Sequence, residues 1–83
     1  MTSSTPNAAL GRLRWMCRRG MKELDVLLER WLERHGSAAS AEELARFEAL
    51  LQWQDPELVR YLIAGEGHSD SGYARLLQSI RGV

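Results

Sequence analysis

The chain has 83 residues, with 11 Lys and Arg against 11 Asp and Glu and a single cysteine. That allows one domain with a small core and excludes an internal disulfide framework or a cysteine-built zinc site. Zero formal net charge argues against a dedicated nucleic-acid binder, whose affinity rests on excess positive charge. No apolar run approaches the ~18 residues that span a bilayer, no signal-peptide core follows Met1, and the first eleven residues hold no arginine, so a bacterial cytoplasm is the expected compartment.

Residues 1–6, MTSSTP, are small and polar and are expected to form a disordered tail before a single helical domain over residues 7–83. Both prolines sit where a helix can start, and β-branched residues are few, which leaves no strand. The expected fold is all-α, a small single-domain bundle of about five short helices. The first runs from Asn7 or Ala8 to Arg19, with Leu10, Leu13, Trp15 and Met16 as its apolar candidates, and Gly20 interrupts it. The second runs from Met21 to Arg34, where Leu24, Leu27, Leu28, Trp31 and Leu32 make a stripe at helical spacing. Gly36 reads as its stop, one residue past the helix.

Ser40 with Glu43 three residues on has the form of a capping box. It opens a third helix through Gln52, with Leu44, Phe47, Leu50 and Leu51 on its buried face. Asp55 then reads as N-cap and Pro56 as first helical residue of a fourth helix that ends near Ala64, before Gly65. Residues 65–72 form a loop. A last helix from Ser71 to Arg81 offers Tyr73, Leu76, Leu77 and Ile80. There is no internal repeat and no low-complexity tract.

Catalytic chemistry has little to stand on. His35 and His68 lie beside glycines, far from each other, and read as surface or capping residues. Cys17 has cationic neighbours that would lower a thiol pKa, yet between Met16 and Arg18 on a half-buried helix it reads as a small packed hydrophobe. No glycine-rich phosphate loop follows a strand. Catalytic, metal-binding and cofactor-binding residues are therefore expected to be absent. Of the three tryptophans, Trp31 falls on the core stripe and Trp53 suits core and contact roles alike. Trp15 flanks arginines, the composition of an interface hot spot.

The charge is unevenly spread. Arg12, Arg14, Arg18, Arg19 and Lys22 place five cations and no anion in eleven residues, whereas six basic and eleven acidic side chains follow from Glu23 onward. In the middle stands MCRRGMKELD, residues 16–25. Read locally, Gly20 ends one helix or caps the next. As an N-cap it would put Glu23 at the third helical position, where a carboxylate satisfies free N–H groups and the helix dipole. Read as a surface, a glycine corner lets another backbone approach, between a guanidinium capable of bidentate bonding and a carboxylate one turn away. The residues alone support both.

RWMCRRGMKELD followed by QDPELVRYL resembles the SdhE family of succinate dehydrogenase assembly factors, whose mitochondrial members are called assembly factor 2. The family signature R-G-x-x-E is here Arg19, Gly20, Met21, Lys22 and Glu23. It is extended by Trp15, Cys17 and Arg18 before and Leu24 and Asp25 after, with a second block at Asp55, Pro56, Leu58, Tyr61 and Leu62.

The resemblance implies a chaperone-like factor that is not itself an enzyme. It would bind the flavoprotein subunit of succinate dehydrogenase, or of fumarate reductase, and promote covalent attachment of FAD to a histidine of that subunit. Bond formation would be autocatalytic in the partner, and FAD would be no cofactor of this chain. Arg19, Gly20 and Glu23 become the docking core, with Trp15, Arg18 and Lys22 beside it, on an expected monomer that inserts into no membrane.

Some family members have also been labelled antitoxins of a membrane-associated toxin. A small regulatory or antitoxin module is therefore one alternative, and a nucleic-acid-binding module using the basic cluster over residues 12–22 is another. Against the latter, the helix after Gly20 carries Glu23, Asp25, Glu29 and Glu33, which would repel phosphate.

Overall fold

The computed structural model describes residues 5–82, with side chains from Leu10 onward. Helices α1 (Thr5–Met16), α2 (Lys22–His35), α3 (Ala41–Leu50), α4 (Asp55–Leu58) and α5 (Ser71–Arg81) follow one another, and no strand occurs among the described residues. The expected tail falls mainly on residues 1–4, outside the described residues. Helix α1 takes in Thr5 and Pro6 as well, since a proline in the first turn gives up no helical hydrogen bond.

Helix α1 stops three residues short of Arg19. Its last turn tightens, with the Arg18 N–H on the Trp15 carbonyl at 3.2 Å. The next amide, Arg19 N–H, leaves the helical ladder and donates to Asp25 Oδ1 at 2.8 Å. Of the apolar candidates on α1, Leu13 is buried, and Leu10 and Met16 pack partly against the core. Trp15 stays 72% exposed and belongs to the surface.

Helix α2 is the hub, in contact with α1, α5 and the turn after α4. Leu24, Leu28, Trp31 and Leu32 bury its predicted stripe, with Leu27 half-buried. Trp31 stacks on Phe47 of α3 with ring centroids 4.5 Å apart, while its indole N–H donates to Ser79 Oγ at 2.9 Å. The largest core side chain thus ties three helices together and leaves no unpaired indole donor. Gly36 ends α2 as expected, but not in a left-handed conformation, since its φ is −56°. Glycine is needed there for space: a Cβ would collide with the Leu32 carbonyl oxygen and stand 3.1 Å from Leu10 Cδ2.

The capping box of α3 is present. Ser40 Oγ accepts from Glu43 N–H, and Ser40 N–H donates to Glu43 Oε1, both at 3.1 Å. Phe47, Leu50 and Leu51 are buried. The helix closes at Leu50 instead of Gln52, because the Gln52 and Trp53 amides bond three residues back, to Ala49 and Leu50, at 3.0 Å.

Helix α4 begins one residue earlier than its proline suggests. Gln54 is the N-cap, its N–H on Glu57 Oε1 at 3.3 Å, and Asp55 and Pro56 are the first two helical residues. The run then widens into a π-turn, Val59–Ile63, closed by Ala64 N–H on the Val59 carbonyl at 2.9 Å. Leu58 and Leu62 are buried from this segment. Asp70 caps α5 through the Tyr73 N–H at 3.0 Å, and α5 buries Leu76, Leu77 and Ile80.

The two histidines stay far apart in role. His35 is exposed. His68 is half-buried, stacked on Trp53 at 5.3 Å, with Tyr61 and Tyr73 against its ring. Its Nδ1 accepts from the Asp70 N–H at 3.0 Å. Trp53 is thereby a bridge between loop 65–70 and the body.

A candidate docking corner between the first two helices

The corner is made by the five-residue link from α1 to α2. Gly20 adopts φ +84°, in the left-handed region, and a Cβ placed on it would meet nothing within 4 Å. Its glycine is therefore required by backbone conformation, and the space outside it is open. Met21 is extended, at φ −114° and ψ 105°, and is the N-cap of α2. Glu23 is consequently the second helical residue, not the third. It is exposed and forms no hydrogen bond or ion pair with another described residue. The carboxylate that reaches back is that of Asp25, on the Arg19 amide. The reading of Gly20 as N-cap, which would give that task to Glu23, is not the one the fold adopts, because Met21 is the cap.

Arg19 is only 15% exposed at its side chain. Its Nε donates to Asp55 Oδ1 at 3.0 Å, Nη1 to the Leu51 carbonyl at 2.6 Å and Nη2 to the Trp53 carbonyl at 2.6 Å. Two of these acceptors follow the end of α3, where backbone carbonyls have no helical partner and the dipole favours a cation. Arg19 thus serves the fold by closing α3 from 32 and 34 residues away and fixing the corner to the start of α4. These partners are distant in sequence, and no local signal announces them.

Two of the other four cations of the basic cluster face carboxylates. Arg12 binds Glu48 at 2.7 Å, which raises the guanidinium pKa and lowers that of the carboxyl through their hydrogen bond. Arg18 faces Glu29 at 3.8 Å. Arg14 and Lys22 have no ion-pair partner among the described residues. At Arg12 and Arg18 a phosphate backbone would have to displace carboxylates already in place.

Behind the corner, Cys17 has no exposed surface. Burial, reinforced by the Glu29 carboxylate, pushes its thiol up to about 12. It packs as the small hydrophobe expected, and nucleophilic chemistry would need a thiolate. Among the described residues no group of three His, Cys, Asp or Glu could hold a metal ion, and no helix is long and apolar enough to cross a membrane.

The Gly20–Glu23 surface is thus exposed, with Arg19 folded in behind it. A family model described as flavinator of succinate dehydrogenase matches residues 11–83. The chain belongs to this family. It is 40% identical over 76 residues to the FAD assembly factor SdhE of Xylella fastidiosa (strain 9a5c), covering 92% of this chain and 78% of that protein. To the FAD assembly factor SdhE of Shewanella oneidensis it is 38% identical over 73 residues, covering 88% and 89%. The Coxiella burnetii FAD assembly factor SdhE is 36% identical over 70 residues, covering 84% and 85%. No solved structure matches the chain. Relatives of the family are assembly factors by name, in keeping with a role that assists an enzyme and is not itself catalytic.

Proposed function

We propose that this chain is an assembly factor that binds the flavoprotein subunit of succinate dehydrogenase and promotes covalent attachment of FAD to it. The observation that carries this is the corner at Gly20. Its backbone is presented with open space in front, Glu23 stands beside it without an internal partner, and Arg19 holds the corner from behind. Gly20 and Glu23 form the contact, with Lys22, Arg18 and the exposed Trp15 around it. Arg19 is the positioning residue that keeps their spacing.

The chain contributes binding energy. Holding the partner's domains so that histidine and flavin meet converts an improbable encounter into a pre-oriented one. FAD stays with the flavoprotein throughout: Arg12 and Arg19 are already bound to Glu48, Asp55 and main-chain carbonyls, and no glycine-rich phosphate loop stands beside the remaining cations. The factor works as a monomer in the cytoplasm.

The test is covalent flavin on the cognate flavoprotein subunit, read as fluorescence after denaturing electrophoresis, with this chain absent, present or carrying Gly20→Arg. The native chain raises the signal, and the variant does not. The variant keeps its helical far-UV spectrum, because the new side chain points into open space and the strained φ costs only about 1–2 kcal/mol. Equal fluorescence in all three lanes, with folded proteins and excess FAD, would overturn the proposal.

A further inference from the structure

We propose that an apolar groove between the start of α2 and the π-turn anchors one hydrophobic side chain of the flavoprotein subunit, a side chain flanked on that partner by one acidic and one basic residue. This rests on the docking role of the Gly20 corner and extends the contact to Val26 and Ile63, which lie outside it. Single exposed aliphatic residues are ordinary, but a contiguous apolar patch marks an interaction surface. Here Met21, Val26 and Ile63 are 39%, 53% and 40% exposed, with Val26 and Ile63 lining one hollow and Met21 and Ile63 the next. Two adjoining hollows, of about 310 and 270 Å³, share Lys22, Glu23 and Ile63.

The fold produces the groove directly. Leu24 of α2 and Leu62 of the π-turn enter the core, so their neighbours on the outer side, Glu23 and Ile63, are left facing each other across the seam. Leu27 and Val59, both half-buried, form the floor. The lip carries Lys22 and Glu23, of opposite sign and without ion-pair partners among the described residues. An apolar centre rimmed by charges is the anatomy of a protein interface, and charges of both signs select an occupant bearing their complements. Because Lys22 and Glu23 belong to both the lip and the corner, whatever docks at Gly20 also covers the groove.

Calorimetric titration of the native chain, Val26→Ser, Ile63→Ser and Ile63→Leu into the cognate flavoprotein subunit tests this. Each serine variant is expected to bind at least tenfold more weakly, with a less negative heat-capacity change because less apolar surface is buried. Ile63→Leu, which keeps the apolar bulk, binds within twofold of native. All variants sit on exposed positions, and a melting midpoint equal to that of the native chain separates lost contact from lost fold. If the native chain binds and both serine variants lose less than threefold, the groove is not an anchor, while the Gly20 corner stands. If Ile63→Leu binds as poorly as Ile63→Ser, the apolar anchor is likewise overturned. If the native chain itself does not bind the subunit, the docking role fails and the groove proposal fails with it.

Discussion

Removing the Arg19 side chain strands the Leu51 and Trp53 carbonyls, and it leaves Asp55 without its cation. Charge-assisted bonds to partly buried groups put the expected loss from Arg19→Ala on the order of 3 kcal/mol. Arg19→Lys recovers only part of it, since one ammonium cannot match three acceptors held in a planar fork. Chemical denaturation of the three proteins gives the ranking directly. A purely partner-facing arginine would leave stability unchanged. At Cys17 the relevant variable is pH. The thiol titrates near its ordinary value of 9.0 once unfolded but near 12 when folded. Above pH 9 the unfolded chain therefore releases a proton that the folded chain keeps, and stability falls as pH rises from about 9 towards 12. Cys17→Ala has a flatter stability profile over that window. Alkylation of native Cys17 by iodoacetamide at pH 8 proceeds only as fast as the chain opens.

The helices show how glycine and serine act through their neighbours. Gly36→Ala would improve intrinsic helix propensity, yet its methyl runs into the Leu32 carbonyl and crowds Leu10. The expected result is a loss of about 1–3 kcal/mol instead of a gain. Ser40→Ala removes the acceptor for the Glu43 amide and costs about 1 kcal/mol. Thermal melts of both variants check these values. What was legible in the sequence follows from range. The box at Ser40 and Glu43, the α2 stripe and the span of α5 depend on residues three or four apart, and all are present. The end of α1, the cap of α2 and the task of Arg19 depend on Asp25, Leu51, Trp53 and Asp55, which meet only after the chain has folded. The π-turn at Val59–Ile63 has no periodic signature either, so the sequence predicts a single continuous helix there.

Across the whole molecule the burden is shared unevenly. Helices α2 and α5, each with three or more buried apolar residues, pack against one another and against the π-turn. Helix α1 rests on α2 chiefly through Leu13, with Leu10 and Met16 partly covered and the exposed Arg12–Glu48 pair on its flank. Helix α1 is expected to open first. Its amides should exchange hydrogen at a lower free energy than those of α2 and α5, and the contrast should sharpen in Glu48→Gln. Uniform protection across α1, α2 and α5 would contradict this. Partial release of α1 would leave the corner in place, because Arg19 is pinned to Leu51, Trp53 and Asp55, none of which belongs to α1.

The three tryptophans occupy three different surroundings: water at Trp15, the stacked core at Trp31, and the imidazole face of His68 at Trp53. The protein therefore carries its own set of optical reporters. Iodide in solution reaches Trp15 first, so shielding of that red-shifted emission registers a partner arriving at the basic end. The blue-shifted emission of Trp31 changes only when the core itself comes apart. Docking and unfolding can thus be followed separately in one unlabelled sample, with Trp53 recording whether loop 65–70 is seated.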